Sequence, residues 1–425
     1  MLDLKFIKEN AAAVKANVDA RFMTADVDEV IRLYDRRNEL ITETDALRRR
    51  RNENAKAMKA KLEPEERQRL IEEGKGLKDA IAAKEGETAE VKAALDAAAS
   101  RIPNMAHPDA PVGKEDKDNS EIARHGEPTV FDFAPKDHLQ IAEDLDLIDF
   151  EAGAKVSGSK FYFLKNEAVL LELALTRYAL DILRSRGFIL TVTPDIARNE
   201  IAEGIGFNPR GEESNIYALE GTDTCLVGTA EITLGGFYAG DIIDLSDGPI
   251  LMAGLSHCFR REAGAAGQYS KGLYRVHQFT KVEMFAYCRA EESDDLLMRL
   301  RGIEEDIFEG LGIPFRVVDT CTGDLGAPAY RKFDLEAWMP GRGESGDWGE
   351  VTSTSNCTDF QARRLGIRYK GEDGKTRTAH TLNGTAVAIS RALIALLENG
   401  QRADGSVAVP EVLVPYCGFE TIPAK

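Results

Sequence analysis

Between Asp28 and Ile102 the chain has one proline, Pro64, almost no aromatic residues, and mainly Ala, Glu, Lys, Arg and Leu. Its apolar residues repeat at helical spacing over this whole length, which few folds accommodate. In the first half Leu33, Leu40 and Leu47 recur every seven residues, with Tyr34 and Ile41 beside them. In the second half Leu77, Ile81, Lys84, Thr88, Val91, Leu95, Ala98 and Ile102 step by fours and threes. The run LEPEER, Leu62 to Arg67, separates the halves. Pro64 suits the first turn of a second helix, and Glu65 and Glu66 suit its positive end. The pattern predicts an antiparallel coiled-coil hairpin over about residues 28–102, after a short helix over 1–20 with Leu4, Ile7, Ala11, Val14 and Val18 on one face. Two helices of roughly 34 residues would each run about 50 Å, too long to be buried within a compact domain.

Charge has to be counted by segment. The 425 residues carry a formal net charge of -18, which alone argues against a polyanionic partner. Residues 28–100, however, hold 16 basic and 17 acidic side chains, a net of -1, so -17 falls elsewhere. Within the hairpin Arg48, Arg49, Arg50, Arg51, Lys56, Lys59 and Lys61 face only Glu53. Most such runs are solvated helix faces. Here Arg48 stands where the Tyr34 and Ile41 row should continue, and this favours a phosphate-gripping strip.

Other classes drop out on composition. No run is apolar enough for a membrane helix, and MLDLKFIKEN lacks a secretory h-region. The six cysteines are scattered singly, so no zinc site is expected and a reduced, cytoplasmic setting is. Residues 103–128 are rich in Pro, Asp, Asn and Gly and read as a linker. The boundary predicts two domains, 1–103 and 104–425. Beyond the linker an amphipathic helix over 166–185 and a last helix over 385–398 accompany strand-like runs at 188–193, 249–256, 281–288 and 315–319. Turns join several of these strands, so the fold class is α+β, a largely antiparallel sheet flanked by helices. The nearest approach to a P-loop, Gly153 to Lys160, has Ser159 and Lys160 in the wrong order and reads as a turn before the strand FYFL. No GxGxxG, HExxH or GxSxG occurs, and the six histidines form no ligand pair at metal-binding spacing.

Three stretches have unusual local chemistry. ALTRYALDILRSRGFILTVTPDIAR is a helix and strand closed by Pro194. PILMAGLSHCFRREAGAAGQYSKGLYRVHQFTKVEMF reads as a long hairpin around a glycine-rich loop, with Arg260 and Glu262 on one face and Arg275, His277, Phe279, Lys281 and Glu283 on the return. Charges so dense on a strand pair are either an ion-pair network or a grip on a polyphosphate. In HTLNGTAVAISRALIALLENGQ, small residues from Asn383 to Ala386 suit close backbone approach at a helix start, and Arg391 is alone in an apolar helix.

These three stretches resemble motifs one, two and three of the class II aminoacyl-tRNA synthetases. Together with LRRRRNENAKAM, PNMAHPDAPVG, KFYFLK, PRGEESNIYAL, GTAEI and EVTSTSN they make nearly the whole chain similar to the bacterial-type seryl-tRNA synthetases. The resemblance implies a class II catalytic domain behind an N-terminal tRNA-binding domain. It implies ATP-dependent ligation of L-serine to tRNA(Ser) through seryl-adenylate, releasing AMP and pyrophosphate, with tRNA(Sec) charged as well where present. By position, Thr229, Ala230 and Glu231 match a serine-contacting triplet, with Glu283, Asn383 and Thr385 completing that site. Many relatives carry Ser in place of Thr385, and the hydroxyl is kept. Arg260, Arg261, Glu262 and Arg275 match the ATP-binding hairpin, Arg260 on the α-phosphate. Glu350, Val351, Thr352 and Ser353 match an ATP segment in which Glu350 and Ser353 would hold Mg2+. Arg391 matches the arginine at the γ-phosphate, and Arg260 and Arg391 are the expected catalytic pair. A homodimer is implied, to which Leu171, Leu175, Tyr178 and Ile182 would contribute unless they are core. Two other readings compete: a paralogue that loads a carrier, against which the basic arm speaks, and a non-catalytic scaffold, against which the retained site residues speak.

Overall fold

The structure, a computed structural model, describes residues 1–209, 215–262 and 269–425. Residues 210–214 of the PRGEES run and 263–268 of the glycine-rich loop lie outside the described residues. The chain divides into two compact units, Met1–Pro103 and Asn104–Lys425.

The first unit opens with α1 (Leu4–Glu9) and α2 (Ala11–Ala20), where the periodicity predicts one helix. Asn10 breaks it: its backbone leaves the helical region and its side-chain amide donates to the Phe6 carbonyl. Such local bonds compete with the helical ladder. The hairpin follows as α3 (Val27–Ala57) and α4 (Pro64–Ala99). Asp26 caps α3 by accepting from the Glu29 amide at 2.9 Å, and Pro64 occupies the first turn of α4. The buried seam joins Leu33, Leu40 and Thr44 to Leu70, Leu77, Ile81 and Leu95. Ile41 does not join it and is 44% exposed. Toward the tip the seam turns polar, where buried Asn54 donates to the Leu70 carbonyl at 3.1 Å.

The second unit is built on one eight-stranded sheet. Its strands are β1 (Ser120–His125), β2 (Ile189–Val192), β3 (Ile250–Phe259) and β4 (Gln278–Cys288). They continue with β5 (Phe315–Asp319), β6 (Arg331–Met339), β7 (Asp347–Asn356) and β8 (His380–Ala388). Across the sheet the order is β1-β5-β6-β7-β8-β4-β3-β2. Every neighbouring pair is antiparallel except β2 and β3, which are parallel. The helices are α5 (His138–Leu145), α6 (Phe150–Ser157), α7 (Glu167–Ser185), α8 (Asn199–Ile205), α9 (Ala230–Gly236), α10 (Ser293–Gly310), α11 (Phe360–Leu365) and α12 (Ile389–Gly400), with a last helical turn at Val414–Cys417.

Alternation along β4 assigns the faces. Val282, Met284 and Ala286 enter the main core with α7, α10 and α12. Phe285 and Tyr287 enter a second cluster with α8, α9 and α11, so Glu283 belongs to that second face.

Several local expectations shift. The strand expected over FYFL shrinks to a two-residue pairing, Phe163–Leu164 with Ile148–Asp149. The last helix starts at Ile389 rather than at residue 385, because Thr385, Val387 and Ala388 pair with Glu283, Val282 and Lys281. Asn383 to Ala386 therefore lie within a strand. The close approach they permit is to α10, where a Cβ at Gly384 would lie 3.0 Å from Glu304 Oε1. Leu171 and Leu175 are core, with Tyr178 and Ile182 packed against it. The face that α7 leaves open carries Val169, Leu170 and Leu173 instead.

Candidate active site

Two adjoining clefts open on the second face of the sheet and share Arg260, Lys281, Glu350 and Thr385 in their walls. One cleft, a cavity of about 400 Å3, is lined by Thr229, Glu231, Glu283, Ser353 and Asn383 among others. The other is bounded by Glu262, Tyr274, Arg275, Phe279, Thr352 and Arg391.

Two irregularities in the ladder aim these residues. Residues 350 and 353 of a regular strand would face opposite ways. Between β6 and β7, Leu335 pairs with Thr352 and Glu336 with Glu350, leaving Val351 as an extra residue. This bulge turns Glu350 and Ser353 to the same cleft. On β8 the register slips between Thr385 and Val387, so Thr385 and Ala388 both reach the Arg260 cleft.

In the first cleft Thr229 caps α9, its hydroxyl oxygen accepting from the Glu231 amide at 3.2 Å. The Glu231 carboxylate accepts from Asn383 Nδ2 at 3.0 Å and from Gln361 Nε2 at 2.8 Å. Burial, with the neighbouring charge of Glu283, pushes Glu231 up to about 7. Glu283 is ion-paired with Lys281, and Thr385 Oγ1 donates to it at 3.4 Å. Ser353 Oγ donates to Asp334 at 2.6 Å, and burial, opposed by the charge of Lys332, pushes Asp334 up to about 6.

The second cleft is cationic. Arg260 donates to the Gly228 carbonyl at 3.2 Å and lies over the Phe279 ring. Arg391 is ion-paired with Glu350 at 3.2 Å and lies over the Tyr274 ring. Burial opposes the charge on Glu350, but Arg391, Lys332 and Arg260 hold its carboxyl below the usual range. Arg275 pairs with Glu262 at 3.2 Å. From behind the sheet, buried Glu304 of α10 accepts from Thr352 Oγ1 at 2.8 Å and from Thr354 Oγ1.

Most of the residues singled out from the sequence thus meet around the two clefts. Arg260 and Glu262 do so by another route than expected, since β3 ends at Phe259 and Glu262 adopts a left-handed backbone (φ +50°). Arg275 likewise precedes β4, just after the turn Gly272–Tyr274. Arg261 is exposed and lines neither cleft, and Ala230 is buried in α9. In the separate first unit, Arg48 and Arg50 pair across the hairpin with Glu85 and Glu73, while Arg49, Arg51, Lys56, Lys59 and Lys61 are exposed. Lys281, one of the charges the sequence places on the returning strand, proves to be a shared wall of both clefts. Sequence reasoning missed Gln361 and Tyr274 as support and wall, and neither carried a signal.

A mostly antiparallel sheet with a cationic cleft beside an acidic one, closed by the β8–α12 unit, is the architecture of a class II aminoacyl-tRNA synthetase. The family model of the tRNA synthetase class II core domain (G, H, P, S and T) matches residues 219–400. That of the seryl-tRNA synthetase N-terminal domain matches residues 1–106. The chain is 67% identical to the serine–tRNA ligase of Treponema denticola, over 99% of this chain and 100% of that one. It is 58% identical to that of Rubrobacter xylanophilus over 100% of both chains. The crystal structure of seryl-tRNA synthetase from Pyrococcus horikoshii complexed with ATP aligns with a TM-score of 0.92 at 41% identity, covering 100% of both chains. The chain belongs to the seryl-tRNA synthetases.

Proposed function

We propose that this chain activates L-serine with ATP to seryl-adenylate and passes the seryl group to tRNA(Ser), and to tRNA(Sec) where a cell has one. The observation that carries this reading is the shared wall: Arg260 borders both the acidic cleft and the cationic one. Glu231 and Glu283 offer two carboxylates to an ammonium group, and Thr385 and Asn383 offer polar partners to a small hydroxyl side chain. A site that pairs a hydroxyl rejects alanine, because its own polar groups would be left unpaired. The serine carboxylate then lies on the Arg260 side, where it attacks the α-phosphorus of ATP and displaces pyrophosphate. Arg260 stabilises charge at the α-phosphate and Arg391 does so at the far end of the cationic cleft. No enzyme nucleophile is needed, so the residues act by positioning and electrostatics. In the second step a 3′-terminal hydroxyl of tRNA takes the seryl group and AMP leaves.

Glu350 and Ser353 fit Mg2+: an oxygen pair on one face, its carboxylate held ionised beside a cleft suited to phosphates. Bound there, the ion would screen phosphate charge. Residues 1–103 are proposed to grip tRNA through the strip from Arg48 to Lys61, and residues 104–425 to perform the chemistry. A homodimer fits the apolar side chains left open on α7 and on edge strand β2, where Leu173 is 61% and Val192 82% exposed. No helix among the described residues is long and apolar enough to cross a membrane. A cytoplasmic location fits the six free thiols. Serine-dependent ATP–pyrophosphate exchange tests the reading: exchange well above an alanine control is expected, and its absence overturns it.

A further inference from the structure

Away from both clefts, the His138 imidazole and the Glu398 carboxylate form a hydrogen-bonded pair with both side chains 0% exposed. The pair joins the start of α5 to the last turns of α12. Burying such a pair is costly unless every polar atom is satisfied, and here the satisfaction is complete. Glu398 Oε1 accepts from His138 Nδ1 at 2.8 Å and from the His138 amide at 3.0 Å, and Oε2 accepts from the Gly341 amide at 2.8 Å. A carboxylate surrounded by donors fixes the imidazole proton on Nδ1. Nε2 is then a lone-pair acceptor, and the Leu273 amide donates to it at 3.3 Å.

Leu273 sits in the turn Gly272–Tyr274, on the limb that returns from the loop to β4. Lys271 on the same limb is ion-paired with Asp137, the residue before His138. Gly272 has a left-handed backbone (φ +55°), and a Cβ there would lie 2.2 Å from His138 Nε2. The limb is therefore packed on the imidazole edge with no room for a side chain. The next residues enter the cationic cleft: Tyr274 beneath Arg391, and Arg275 toward Glu262. Arg391 and Glu398 are seven residues apart on α12 and so share a side of that helix.

We propose that His138, held by Glu398, is a positioning residue for the nucleotide cleft: its Nε2 anchors the Leu273 amide and so sets Tyr274 and Arg275 against Arg391. Neither side chain lines either cleft, and the limb is the contact through which the imidazole reaches one. The inference rests on the synthetase reading above.

The test is serine-dependent exchange by the full chain, with ATP and serine varied in turn, for the wild type, His138→Asn and His138→Gln. Asn keeps an amide N–H for Glu398 but cannot reach Leu273, whereas the Gln side-chain oxygen reaches the Nε2 position. His138→Asn is expected to raise KM for ATP roughly tenfold, the cost of one backbone donor left unpaired. It should leave KM for serine within about twofold, and His138→Gln should restore KM for ATP to within about twofold of wild type. A common rise in both KM values, a fall in kcat alone, or equal behaviour of Asn and Gln would overturn the proposal. If the histidine variants do not fold, Gly272→Ala decides, since it pushes the limb off the same nitrogen. A selective rise in KM for ATP supports the anchor, and an unchanged KM for ATP sinks it. A wild-type chain without serine-dependent exchange overturns the underlying reading instead.

Discussion

In the hairpin, Arg36, Lys84 and Arg48 reach across to Glu87, Glu43 and Glu85 with side chains between 31% and 51% exposed. On the sheet, Lys281 and Glu283 meet at 7% and 2% exposure. Water screens the first set, and each pair there contributes little to stability. The second set is costly to desolvate, and a fold retains such groups only where geometry satisfies them or a ligand does. Equal formal charge thus has different meanings in the two regions. On the arm it is a surface property, tuned by count and by salt. In the clefts it is a placement, in which each carboxylate or guanidinium has a specified partner.

The largest test of that difference is Arg260→Ala. It removes one placed charge and is expected to lower serine-dependent exchange by about a hundred- to a thousandfold. The melting temperature should change little, because the Arg260 side chain donates to one backbone carbonyl, that of Gly228, and the residue is partly exposed. An unchanged exchange rate would refute its place at the α-phosphate.

The arm should answer differently. Reversing Arg49 and Arg51 to Glu is expected to weaken tRNA charging roughly ten- to a hundredfold, with a shallower salt dependence and intact exchange. Equal loss of both activities would erase the division of labour. Arg48 and Arg50 are poorer choices, because their partners across the hairpin, Glu85 and Glu73, would be left facing new acids.

The smallest effect is a pH profile. Glu231 titrates at about 7, and only its ionised form attracts an ammonium group. On the exchange assay, kcat/KM for serine should rise by up to about tenfold between pH 6 and 8, and Glu231→Gln should flatten that rise. The stability sign is opposite. The folded state binds this proton more tightly than the unfolded chain, whose value is 4.5, so the carboxyl weakens the substrate-free fold as pH climbs toward 7. A profile with no step near 7 would show that Glu231 does not meet the substrate's charge.

The hairpin was legible because its information is local: a sustained apolar period, a helix-starting proline and a distal strip of basic residues. The clefts were legible as residue types, and the family resemblance supplied their roles. What sequence could not show is relational. His138 and Glu398 are 260 positions apart, so no local pattern connects them. Glu304 looks like any acid on an amphipathic helix until its two threonine donors on β7 are seen. The last helix was drawn too early because TAVAISRALIALLE is apolar in a way that suits both periods, and pairing with β4 decides the boundary.

The extra residue at Val351 has a consequence for anyone redesigning this scaffold. A procedure that rewards regular hydrogen-bond ladders would treat the slip between Leu335 and Glu336 as a flaw and remove it. The repaired strand would score as more ideal while Glu350 turned its carboxylate to the opposite side of the sheet from Ser353. In this protein the irregular step in the ladder carries information, and smoothing it away would discard part of the site while every residue stayed in place.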